Sequence, residues 1–159
     1  MNQNILDELQ EYIDFHLNSF PLYKASEPES LSNMEIDLLD YIENNRQPTL
    51  QEMLFSFIDR IGATDPEIYK KAGMDRKHFS KIRSNPAYRP GKTAIIALAL
   101  ALELDTNEAD EFLCSAGYSL SGSDRFDLVI QFCFEKKIYK IEDVNHALDS
   151  FHLKLLNVQ

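Results

Sequence analysis

Lys77 and Lys81 stand four residues apart, with Ser80 between them and Ser84 three residues further on. On a helix at 100° per residue, Lys77, Lys81 and Ser84 point away from Met74, Phe79 and Ile82, and Ser80 lies on their flank. Amine and hydroxyl donors on one outward face suit hydrogen bonding to base edges in the major groove of DNA. There lysine meets the acceptors of guanine and serine meets several bases. Arg76, Arg83, Arg89 and Lys92 lie around the edges of that face, where cations would meet phosphate. The plainer alternative is a solvated face that balances its neighbours.

No other chemistry finds a comparable constellation. His16, His146 and His152 lack a partner histidine at i+4 or a carboxylate cluster suited to a metal. The carboxylates fall in no acid/base motif, and there is no glycine-rich phosphate loop and no G-x-S-x-G. No catalytic residue, metal site or cofactor is expected, so the chain reads as not an enzyme. Cys114 and Cys133 sit on apolar helical faces and read as core. Phe126, Phe132 and Phe134 read as core more readily than as a docking stripe.

The charge distribution isolates the basic face. The whole chain of 159 residues carries −10, yet residues 49–100 carry +4 while residues 1–48 carry −8 and residues 101–159 carry −6. All nine bases of the middle stretch fall between Arg60 and Lys92, where the only acids are Asp65, Glu67 and Asp75. Such an island keeps its own field, because screening falls off over about 8–10 Å at physiological salt.

The elements that must position this face are helical throughout. At 44% hydrophobic and 26% charged, the composition is that of a globular chain with material for a core. The N-terminus is acidic where a secretory signal needs bases. The longest apolar run, Ala94–Leu102, is nine residues, against roughly 20 for a membrane span. Two distant cysteines without a signal make a reducing cytoplasm the default, and no membrane partner is expected.

Residues 4–19 read as an amphipathic helix, Pro21 and Lys24 to Ser32 as a loop, and Met34 to Asn44 as a second, acidic helix. The domain boundary falls at Asn44 to Pro48. Thr49 with Glu52 forms a capping box for a helix that Gly62 ends. Thr64 to Glu67 start a short helix, with Gly73 close behind. Asp75 caps the helix that runs to about Ser84, and Asn85, Pro86 and Pro90 make a loop. Thr93 opens a helix apolar nearly all round and therefore buried. Further helices run from Asp105 or Thr106 to Ala116, from Ser123 to Lys137 and from Ile141 to His152. The expected fold is all-α with about eight helices. It comprises an acidic segment 1–48, a domain 49–121 and a C-terminal helical pair 122–159 packed on that domain. The acidic helices read as packing on the core through Leu9, Ile13, Leu39 and Ile42, or else as a docking element.

Two short helices flanking Gly73 and Met74 have helix-turn-helix spacing. From about Met53 to Ala116 the chain resembles the phage-repressor/Cro-like helix-turn-helix module of bacterial Xre-type regulators. The residues that carry the likeness are FIDRIGATDPEIYKKAGMDRKHFSKIRSNPAYRP, followed by KTAIIALALALEL. The resemblance implies a lambda-repressor-like core and a recognition helix at 75–84. It implies base contacts for Lys77, His78, Ser80 and Lys81, backbone contacts for Arg83, Arg89 and Lys92, and a possible homodimer on two half-sites. The sequence departs from the family at Tyr69, where a small residue is usual, and at Asp65 and Pro66, where a Gln often stands. Asp65 facing phosphate would repel it. The leading expectation is a transcriptional regulator bound to double-stranded DNA. The alternative is an interaction adaptor with the same fold, no DNA binding, and a protein partner of toxin-like or regulatory kind.

Overall fold

Side chains that accept from free backbone amides set where the helices begin. Thr49 Oγ1 accepts from the Glu52 amide at 3.2 Å, and the Glu52 carboxylate accepts from the Thr49 amide at 3.3 Å. Thr64 with Glu67 and Asp105 with Glu108 form the same reciprocal box. Asp75 accepts from the His78 amide at 2.6 Å.

The computed structural model describes residues 3–16 and 27–157. Among these it contains nine helices and no strand. They are α1 (Gln3–His16), α2 (Glu27–Asn45), α3 (Leu50–Ile61), α4 (Asp65–Lys71), α5 (Arg76–Ser84), α6 (Lys92–Ala101), α7 (Thr106–Ser115), α8 (Arg125–Glu135) and α9 (Ile141–Ser150). The chain is all-α. Pro21 and residues 24–26 of the expected loop lie outside the described residues. Residues 27–32 were expected in that loop and are instead helical. Pro28 falls in the first turn of α2, where its missing amide is no loss.

The chain divides into two compact units, Met1–Arg46 and Gln47–Gln159. In the first unit the Tyr12 and Tyr41 hydroxyls lie 3.3 Å apart, tying α1 to α2. That hydrogen bond raises the Tyr41 pKa above its ordinary value. Leu9, Leu39 and Ile42, expected to pack on the core, are exposed. The side chain of Ile13 lies outside the described residues.

The second unit is organised around α6, whose residues Ala94 to Ala101 are all buried. It packs against α4 and α7, while α3 packs on α5 and α7, and α8 joins α7 to α9. Met74, Phe79, Ile82, Ile96, Ala97, Leu100 and Phe112 belong to one buried cluster. The C-terminal pair contributes Ile130, Cys133, Phe134, Val144 and Leu148 to the same cluster. Cys114 is exposed, contrary to its expected place in the core. The buried stripe of α7 and its end is Ala109, Phe112, Leu113 and Ala116. One residue past Leu113, Cys114 is rotated about 100° off that stripe. Phe132 is likewise exposed, while Phe134 is buried and Phe126 half-buried.

Arg60 of α3 bonds and ion-pairs to Glu108 of α7, holding the Glu108 carboxyl below its ordinary range. No helix among the described residues is long and apolar enough to cross a membrane.

Candidate nucleic-acid interface

The turn between α4 and α5 depends on one residue. Gly73 has φ of 66°, a left-handed conformation costly for side-chain-bearing residues. The Met74 amide then bonds back to the Tyr69 carbonyl at 2.9 Å, which closes α4 and starts the approach to α5. Tyr69 fits between these helices because its ring lies 5.7 Å from that of Phe79, in a tilted pair. At the other end of α5, Gln51 Nε2 of α3 donates to the Ile82 carbonyl at 3.2 Å and to the Asn85 carbonyl at 3.4 Å. These bonds satisfy carbonyls that the helix itself leaves free.

With Phe79 and Ile82 buried, the opposite face of α5 is open. Arg76, Lys77, Ser80, Lys81 and Ser84 are exposed and line one depression of about 490 Å³. The Ser84 hydroxyl donates to the Ser80 carbonyl at 2.7 Å, leaving its oxygen lone pairs outward. Lys81 Nζ lies 4.2 Å from the centroid of the Tyr88 ring. That cation–π contact restrains a side chain otherwise rich in rotamers.

The remaining expected contacts are placed differently. His78, expected at a base edge, is half-buried, and its Nε2 lies 3.2 Å from the Tyr88 hydroxyl. Its Nδ1 is buried and meets no hydrogen-bond partner among the described residues. Arg83, expected on phosphate, ion-pairs with Asp65 and stacks on Phe55 at 4.0 Å. Both residues lie only about 70° from the centre of the inward stripe, so the helix carries them toward the protein. Asp65, expected to repel phosphate, has its charge balanced by Arg83.

Arg89 is committed elsewhere as well. Its Nε donates to the Ala116 carbonyl at 2.7 Å and its Nη2 to the Gly117 carbonyl at 3.3 Å. The guanidinium thus closes the C-terminal end of α7, where free carbonyls and the helix dipole favour a cation. It also stacks on Tyr118 at 4.4 Å. Gly117 permits this approach, since a Cβ there would lie 2.8 Å from Arg89 Nη2. Lys92, the last expected phosphate contact, donates from Nζ to the buried Asp127 carboxylate at 2.7 Å. That carboxylate also accepts from the Ser121 amide at 2.8 Å, so the pair ties α6 to the start of α8.

The structure therefore gathers Arg76, Lys77, Ser80, Lys81 and Ser84 and separates Arg83, Arg89, Lys92 and His78 from them. Tyr88, Phe55, Tyr118 and Asp127 hold these side chains, and nothing in the sequence singles them out. Tyr88 is ten residues from His78 in a proline-containing loop, where no periodicity signals a contact. Among the described residues, no three His, Cys, Asp or Glu side chains gather in a way that could hold a metal ion. Comparisons with family models, curated proteins and solved structures find no match to this chain.

Proposed function

We propose that this chain is a non-enzymatic DNA-binding protein of the helix-turn-helix kind, related in mode to the phage-repressor/Cro-like regulators, and that it acts in transcriptional regulation. The observation that carries the reading is the depression on α5, where three cations and two hydroxyls share one open helix face. The major groove is about 12 Å wide and admits a helix. With α5 seated there, Lys77 and Lys81 would reach guanine O6 and N7, Ser80 would supply an adaptable donor and acceptor, and Ser84 would supply its outward lone pairs as acceptors. Arg76 stands at the first turn, where it suits the flanking phosphate. Tyr88 holds Lys81 in a restricted set of positions, which reduces the entropy lost when the amine binds. Two copies on two half-sites would supply the area that one module lacks.

The competing reading, an interaction adaptor of the same architecture, is favoured by the internal commitment of Arg83, Arg89 and Lys92. Fluorescence anisotropy on duplexes selected from a random pool separates the two. For the regulator, Lys77→Ala and Lys81→Ala each cost about 1–3 kcal/mol on the selected site and relax discrimination at one base pair. Full chain that shows no salt-dependent binding to any duplex overturns the DNA reading and leaves the adaptor.

A further inference from the structure

We infer that the Met1–Arg46 unit is a docking element, and that the exposed face of α2 seats against an amphipathic helix of another protein, with apolar anchors on one face flanked by Lys or Arg. The inference is independent of the DNA reading and concerns a different surface. Ile36, Leu39 and Ile42 are 55%, 61% and 52% exposed, and they fall within an arc of about 120° on one side of α2. Large apolar side chains at this spacing are the anchors of helix-in-groove recognition. Among the residues of this unit whose side chains are described, none is buried. Exposed apolar side chains in such a stripe gain burial energy only when something covers them.

Charge selects what covers it. Glu35 and Glu43 bracket the stripe at its two ends, Asp40 flanks it, and all three are exposed. Residues 1–48 carry −8, with only Lys24 and Arg46 as bases. A second copy would bring these carboxylates against their equivalents. Nucleic acid and anionic membrane would be repelled for the same reason. A partner helix that flanks its apolar anchors with lysine or arginine complements both features.

The test uses the full chain and a synthetic helical peptide of about 18 residues, roughly 27 Å long, with leucine on one face and lysine on both flanks. A companion peptide carries glutamate in place of lysine. The leucine–lysine peptide is expected to bind saturably at one per chain, and the leucine–glutamate peptide is expected not to bind. Ile36→Gln/Leu39→Gln/Ile42→Gln changes no charge and uses a good helix former, so helicity is retained. It should weaken binding by about tenfold or more, a change of roughly 1.4 kcal/mol. Glu35→Gln/Asp40→Asn/Glu43→Gln should also weaken binding and flatten its salt dependence.

The absence of saturable binding by the leucine–lysine peptide would overturn the proposal, and so would any of three other results. One is peptide binding that both triple variants leave unchanged, which would place the contact on another acidic surface. Another is a full-chain dimer in sedimentation that the glutamine variant dissociates, which would make the occupant a second copy. The third is a large fall in the melting temperature of the peptide-free chain on glutamine substitution. The stripe would then be covered within the chain.

Discussion

The internal partners of Arg83, Arg89 and Lys92 make a quantitative prediction about salt. Each phosphate neutralised on duplex DNA contributes about 0.9 to the slope of log K against log salt. If all six basic candidates around α5 met phosphate, the slope would be about −5.4 per chain. Affinity would then fall roughly 2,000-fold between about 50 and 200 mM salt. The structure leaves only Arg76, Lys77 and Lys81 on the open depression. Even counting both lysines as phosphate contacts, the slope is about −2.7 and the loss about 40-fold over the same range. Anisotropy titrations across that range measure the slope directly. Arg76→Ala should reduce its magnitude by about 0.9, to a loss of about 12-fold. Arg89→Ala should leave the slope unchanged, although the freed Ala116 and Gly117 carbonyls lower stability, so the titration is made well below the melting temperature. Arg83→Ala alone would expose the Asp65 charge and is therefore combined with Asp65→Ala. A slope that falls by about 0.9 in Arg89→Ala, or in the Arg83 and Asp65 double variant, would show those guanidiniums meeting phosphate and would refute the reasoning.

Other expectations concern the scaffold. Phe79→Ala should destabilise by about 3–5 kcal/mol, because Phe79 is buried in the main cluster and forms a tilted ring pair with Tyr69. A denaturation series showing less than about 1 kcal/mol would place the ring outside the core. Glu108 is held below its ordinary pKa by Arg60, so its contribution exists above the unfolded carboxylate value and is lost as pH falls through the folded one. Arg60 is half exposed, so Glu108→Gln should cost less than about 1 kcal/mol at neutral pH. The gap between variant and parent should close in acid, and a gap that widens there would contradict the assignment. A thiol reagent should titrate Cys114 in the folded chain and reach Cys133 only on unfolding, since Cys133 is buried and burial raises its pKa.

Much of the architecture was legible in the residues because its causes are local. Thr49 with Glu52, Thr64 with Glu67 and Asp105 with Glu108 act across three positions, where helix geometry alone brings donor to acceptor. The buried stripe of Phe79 and Ile82 follows from the same periodicity, as does the outward set Lys77, Ser80, Lys81 and Ser84. Tertiary structure decided which cations stay available to a ligand. Arg89 meets Ala116 across 27 residues and Lys92 meets Asp127 across 35, and neither separation carries a periodic signal. Arg83 and His78 lie at the border of the inward stripe, where a long side chain can turn to solvent or to a neighbour. Asp65, Phe55 and Tyr88 settle that choice for them. A charge in sequence shows how many cations a segment holds. Only the packing of α3, α4, α7 and α8 shows which of them an opposite charge or a free carbonyl has already claimed.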